Sequence, residues 1–255
     1  MSQLFKPSAN TAARGSMLAL GIAPIVLFYA GSTLSRSPAN TKQGVPLNQP
    51  VPFSHKHHVK ELGIDCRFCH TGVEKSAVAG IPPVETCMTC HSQIWTNSPL
   101  LDPVRKSYET GTPIQFANGD KGWNVVNKVP EFVYFNHSIH IDRGVNCNQC
   151  HGPVQEMQMT YKGKPFAMSW CLECHRKPEA FIFADPTRKD LSPREQVFEL
   201  YRKIQNDEDL THREWEVSQG MMGQRRSDEV LDEKQLEELY KLKKKQLEDC
   251  WTCHR

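Results

Sequence analysis

The chain has 255 residues, longer than the usual ~100–200-residue domain, and ten Cys with eleven His. Its 31 Lys and Arg against 29 Asp and Glu leave a formal net charge of +2, without the basic excess that a nucleic-acid-binding chain needs. Counting Gly and leaving out Tyr, apolar residues make up about 42 %, below the ordinary ~45–50 %; a coiled coil, a collagen-like chain, a polytopic membrane protein and a wholly disordered chain are all excluded.

Residues 15–35 carry no charge, and Met17 to Ala30 reads MLALGIAPIVLFYA. At ~1.5 Å per residue such a helix spans about 30 Å, one crossing of a bilayer's hydrocarbon layer. No clean A-x-A cleavage site follows, so residues 1–36 read as an uncleaved signal-anchor helix. Lys6 and Arg14 on one side and Arg36 and Lys42 on the other leave its orientation tied by charge. Residues 37–52 (SPANTKQGVPLNQPVP) read as a linker.

The ten cysteines form five C-x-x-C pairs, each followed at once by His. They are Cys66, Cys69 and His70; Cys87, Cys90 and His91; Cys147, Cys150 and His151; Cys171, Cys174 and His175; Cys250, Cys253 and His254. C-x-x-C-H is the attachment signature of c-type haem: two thiols add to the two vinyl groups, and the adjacent imidazole reaches the iron as proximal ligand. A disulfide framework would not space its cysteines alike every time, a thioredoxin-like site needs one such pair, and tetrahedral zinc does not require His after each second Cys. Five His from five would arise by accident about once in 10⁷. The pattern predicts five covalently bound haem c groups.

Two short clusters hold most of the remaining His. Phe53-Ser-His55-Lys-His57-His58 precedes the first motif and Phe135-Asn-His137-Ser-Ile-His140 precedes the third, each reading F-x-H-x-x-H with about ten residues to the next Cys. A lone His in a loop is ordinarily a solvated residue, but a pattern repeated beside haems that lack a sixth ligand makes His55, His58, His137 and His140 candidate distal ligands. The first His of each cluster is expected to serve the haem that follows and the second to cross to another. The fifth distal position stays open among His57, Met157 and Met168; His212, in a charged segment, reads as a surface residue.

Residues 53–176 thus read as a tetrahaem domain of two similar halves, with short helices ending in each motif and the macrocycles supplying much of the buried apolar surface. Trp95, Trp123 and Trp170 are expected to pack against haem faces or neighbouring subunits. Residues 177–255 read as a helical segment. Ser192-Pro193-Arg194-Glu195 and Thr211-His212-Arg213-Glu214 are capping boxes that open helices, and Val197, Phe198, Tyr201 and Ile204 follow the first at helical spacing. A third helix is expected from Glu229 to Glu248, with Leu231, Leu236, Leu239, Tyr240 and Leu247 apolar and Lys241, Lys243, Lys244 and Lys245 on a solvated face. It delivers the fifth motif. Because haem is attached to C-x-x-C-H outside the bacterial inner membrane, the haem domain is expected on the periplasmic side of a single-pass anchor.

FSHKHH before the first motif, GIPPVETCMTCHSQIW around the second, FVYFNHSIH before the third, MSWCLECHR at the fourth and the final CWTCHR resemble the pentahaem cytochrome subunit of alternative complex III. The resemblance implies a fold like the class III cytochromes c3 and c7, short helices and loops around stacked haems beside one transmembrane helix. It also implies partners: integral membrane subunits that oxidise quinol, an iron–sulfur subunit related to molybdopterin oxidoreductases, and a monohaem cytochrome c or oxidase as acceptor. On this reading the chain has no catalytic residue of its own and wires electrons between those partners. The alternative expectation is a membrane-anchored quinol dehydrogenase that feeds a periplasmic reductase. A terminal multihaem reductase is disfavoured, since no C-x-x-C-K motif occurs.

Overall fold

The computed structural model describes residues 6, 8–120, 122–226, 230 and 232–254, residue 239 by its backbone alone. Of the residues named above, Glu229, Leu231 and the Leu239 side chain fall outside that set. The chain divides into two units, Met1–Gln43 and Gly44–Arg255.

In the first unit, α1 (Ser8–Arg36) is a 29-residue helix with no buried residue. An 18-residue window within it has a mean hydropathy of 1.8, so the helix is long and apolar enough to cross a membrane. A four-residue turn, α2 (Pro38–Thr41), starts with Pro at its first position and ends on Lys42 in the left-handed conformation (φ 57°).

The second unit is a succession of short helices. They are α3 (Cys66–Cys69), α4 (Val84–His91), α5 (Asp102–Thr110), α6 (His137–Asp142), α7 (Cys147–His151), α8 (Met168–Arg176), α9 (Pro178–Phe181), α10 (Pro193–Gln205), α11 (His212–Ser218), α12 (Glu233–Tyr240), α13 (Lys244–Leu247) and α14 (Cys250–Cys253). A π-helical turn, Lys56–Glu61, precedes α3. Among the described residues no strand forms; isolated bridges join Pro46 to Tyr161 and Val133 to His254. Residues 44–52 run along this unit, where Gly44 N–H donates to Lys162 and Val51 is buried.

Among the described residues, most of the buried apolar side chains gather in four small clusters rather than one core. Val51, Leu101, Val104 and Ile114 gather Trp123 and Met88 at their edge. Val73, Ile141, Val197 and Phe198 hold Cys66 and Cys147. Phe183, Leu200 and Val217 form a third cluster, and Ile182, Ala184, Leu236 and Tyr240 a fourth. Trp95 stands outside them, 63 % exposed.

The expected capping boxes form: Ser192 and Glu195 exchange side-chain-to-backbone bonds at the start of α10, and Thr211 and Glu214 do so at α11. Val197, Phe198 and Tyr201 of α10 are buried as their spacing predicts. The expected long third helix is instead broken. Lys241 takes a left-handed conformation (φ 52°) after α12, and the chain turns before α13. The break is tertiary in origin. Leu236 and Tyr240 pack on Ile182 and Ala184, with the Tyr240 hydroxyl donating to Ala184 O at 2.8 Å. Beyond the turn, Lys244 reaches Glu179 at 2.6 Å, so this lysine pairs rather than joining a solvated face.

Gly144 is dictated by close approach. It has φ +75°, and a Cβ there would stand 2.3 Å from the Ala184 Cβ. Its carbonyl accepts the N–H groups of Phe183 and Ala184, joining the loop after α6 to the segment after α9.

Candidate functional site

Each C-x-x-C pair lies in one helical turn, which puts residues i and i+3 on one face, with His at the exit. Asp65 opens α3 by accepting the Arg67 N–H at 2.8 Å, and Asn146 with Gln149 forms a capping box around α7. No disulfide joins any two of the ten cysteines. Among the described residues no three His, Cys, Asp or Glu converge, as a four-ligand zinc centre would require.

The histidines meet in pairs. His55 lies opposite His70 with ring centroids 6.4 Å apart and planes within 8°. His137 lies opposite His151 at 6.2 Å and 5°. His58 and His91 are 6.2 Å apart, and so are His140 and His175, at steeper angles of 63° and 34°. Two imidazoles bound to one metal, each at about 2 Å and with about 1 Å more from ring nitrogen to centroid, stand about 6 Å apart centre to centre. The four pairs have that spacing. In each, one partner comes from an F-x-H-x-x-H cluster and the other from a C-x-x-C-H motif, the first cluster serving motifs one and two and the second serving three and four.

Second nitrogens are tied down as metal-bound imidazoles require. Nδ1 lies within hydrogen-bond reach of Gly80 O for His70 (2.7 Å), Ala77 O for His137 (2.8 Å), Asn136 O for His140 (2.7 Å) and Ser54 O for His58 (2.9 Å). It reaches Leu247 O for His175 (2.9 Å), Ile94 O for His91 (3.3 Å) and Phe132 O for His254 (3.2 Å), while His55 meets the Thr160 hydroxyl at 3.1 Å. A carbonyl accepts only from N–H, so the seven carbonyl contacts leave Nε2 as the free donor atom. Burial, with neighbouring imidazoles pushing the same way, lowers His55, His140 and His151 to about 4. They are neutral at pH 7, the form that ligates metal.

The two clusters share one local geometry. Phe53 stacks on His58 (4.4 Å, 26°) and meets His55 edge-on; Phe135 stacks on His140 (4.5 Å, 25°) and meets His137 edge-on. His57 occupies the position that Ile139 has in the second copy. It turns to Glu61 at 2.9 Å and lies 6.5 Å from Trp95, facing no motif histidine. Met157 is 2 % exposed, Met168 is 62 % exposed, and His212 stands outside beside Glu216. His254 of the fifth motif stacks on Phe132 at 5.7 Å, and the Tyr134 N–H donates to Cys253 O at 2.8 Å.

The third motif is the most enclosed. Its inner residues, Asn148 and Gln149, are 0 % and 1 % exposed, whereas Arg67 and Phe68, Thr89, Glu173, and Trp251 and Thr252 of the other motifs are exposed. Asn148 donates to Gln155, Gln149 donates to Phe181 O, Asn146 donates to Val197 O, and the Tyr201 hydroxyl meets Asn146 and Asn148 oxygens. This network couples the C-terminal helices to the motif. Sequence reading passed over it, although Asn146-Cys147-Asn148-Gln149 carries a capping-box signature.

Residues 31–104 match the class III cytochrome c family, and residues 133–255 match the family of cytochrome c7 and related cytochromes c. The multihaem cytochrome c subunit of menaquinone reductase from Nitratidesulfovibrio vulgaris is 35 % identical over 104 residues, 40 % of this chain and 45 % of that relative. The chain thus spans less than half the length of the relative.

Proposed function

As a class III, c7-type multihaem cytochrome c, the chain is, we propose, a pentahaem electron relay in a quinone-linked membrane complex. Haem c, when bound, supplies a one-electron couple at each site. The thioether positions are Cys66 and Cys69, Cys87 and Cys90, Cys147 and Cys150, Cys171 and Cys174, and Cys250 and Cys253. The proximal ligands are His70, His91, His151, His175 and His254; the distal ligands are His55, His58, His140 and His137.

The spacing of the four histidine pairs carries this reading. At those four sites, closure by two imidazoles would leave no open position for a substrate, so these residues would hold, orient and space the haems. Carbonyl anchors on the Nδ1 of seven of these histidines keep their Nε2 aimed, and the stacked Phe53 and Phe135 hold the crossing histidines. A relative named as a menaquinone reductase subunit supports the quinone link, and α1 supports a single-pass membrane anchor. The partners are integral membrane quinone-reactive subunits, an iron–sulfur subunit and a monohaem cytochrome c or oxidase, with the haem unit on the periplasmic side, as in the alternative complex III that the motifs resemble. The relative's name favours one second reading, a relay that carries electrons toward menaquinone.

Mass spectrometry of the purified chain is expected to give five covalent haems, and copurifying subunits distinguish a complex from a free-standing dehydrogenase. Replacing His137 by Ala is expected to turn one haem high-spin while all five stay attached. An unchanged low-spin spectrum would remove His137 from the ligand set.

A further inference from the structure

The arrangement of the ligand sets points to an order that differs from their order along the chain. His55 and His58 sit within one helical turn and face His70 and His91, which makes the first and second sites neighbours. His137 and His140 do the same for the third and fourth. The loop 76–80 joins the first site to the third: Gly80 O anchors His70, Ala77 O anchors His137, and Ser76 O accepts the Ser138 N–H. Cys66 and Cys147 also pack on the same cluster of Val73, Ile141, Val197 and Phe198. The fourth meets the fifth where His175 reaches Leu247 O, three residues before Cys250, and Arg176 pairs with Glu248 at 3.4 Å.

We propose that the haem sites form an unbranched file in the order second, first, third, fourth, fifth, and that its two ends, at Cys87–His91 and Cys250–His254, are the ports for one-electron exchange with partners. The proposal rests on the pentahaem reading. Each interior site takes one electron from one neighbour and gives one to the other, and the terminal sites exchange with an iron–sulfur or quinone-linked module on one side and a monohaem cytochrome on the other.

Exposure agrees with the file. Among the ten cysteines only Cys90, in the second motif, and Cys250, in the fifth, are exposed. Trp95 beside the second motif and Trp251 within the fifth are 63 % and 79 % exposed, while the third motif, central in the file, has the buried Asn148 and Gln149.

Iron positions in a crystal or electron-microscopy structure of the haem-loaded full chain test the order directly. Nearest-neighbour pairs 2–1, 1–3, 3–4 and 4–5 are expected; a first site at an end, or a second site whose nearest iron is the third, overturns the file while leaving the ligand pairs standing. Fewer than five haems, or irons held by other residues, overturns the pentahaem reading and the file with it. The double variant Cys87→Ala with Cys90→Ala supplies a second readout. After reduction by dithionite and mixing with ferricyanide, its four remaining haems are expected to reoxidise as one connected population. A separate slow phase with one haem's share of the absorbance would mean that the first site had been stranded, and would refute the file.

Discussion

Replacing Tyr201 by Phe tests the contact between the C-terminal helices and the third haem motif. Tyr201 is 4 % exposed, and its hydroxyl lies 3.0 Å from Asn146 Oδ1 and 2.9 Å from Asn148 Oδ1. Asn146 Oδ1 keeps the Asn148 N–H at 2.9 Å when the hydroxyl goes. Asn148 Oδ1 has no other donor among the described residues and is left buried and unpaired. An orphaned buried acceptor costs about 1–3 kcal/mol, and the ring, which stays, loses no packing. For a unit of this size that loss lowers the melting temperature by roughly 2–10 °C. Thermal unfolding of the haem-loaded protein, followed by far-ultraviolet circular dichroism, reads the shift. Adding Asn148→Ala to the Phe variant is expected to cost less than the sum of the single changes, since both delete one contact. Full additivity, or a Phe variant as stable as the parent, would refute the claim that this hydroxyl ties α10 to α7.

Three further outcomes follow from the geometry. Gly144→Ala combines a left-handed backbone with a Cβ 2.3 Å from Ala184, so a loss of about 2–4 kcal/mol is expected in urea unfolding; an unchanged midpoint would show that this loop is free to move. Burial tends to raise the Glu214 carboxyl, but the Lys203 ammonium at 2.6 Å and the Thr211 N–H and hydroxyl hold it below the usual carboxylate value. Its contribution, about 1 kcal/mol, is therefore present above the unfolded pKa near 4 and fades as pH falls through the lower folded value. The urea-midpoint gap between parent and Glu214→Gln should close below that range, and a gap constant down to pH 3 would contradict the assignment. Finally, Cys253→Ala is expected to loosen or remove the fifth haem, read as a fall in the pyridine haemochrome count; an unchanged count with full thioether linkage would exclude this motif as an attachment site.

Much of the candidate site was legible because the spacing that defines it is local. C-x-x-C-H needs only one helical turn to set two thiols and an imidazole side by side, and F-x-H-x-x-H needs only another, so the motif cysteines and histidines and the two repeated clusters could be read off residue spacing. Capping boxes at Ser192 and Thr211 were readable for the same reason, since their bonds close within three residues. The break after α12 was not readable: helix propensity favours continuation through Lys241, and the turn comes from packing Leu236 and Tyr240 on residues some fifty positions upstream. The placement of His57 was equally hidden, because adjacent imidazoles differ only in which side of the turn they leave.

The sequence alone therefore determined the chemistry, a set of thiol pairs each with its imidazole and an apolar stretch long enough for a membrane, since those depend on neighbours within a few positions. Only the tertiary structure decided which motif histidine each crossing imidazole meets, that loop 76–80 joins the first site to the third, and that Asn148 and Gln149 are sealed beneath Tyr201. Those facts join residues from about 10 to about 60 positions apart, and no spacing along the chain encodes the packing that brings such residues together.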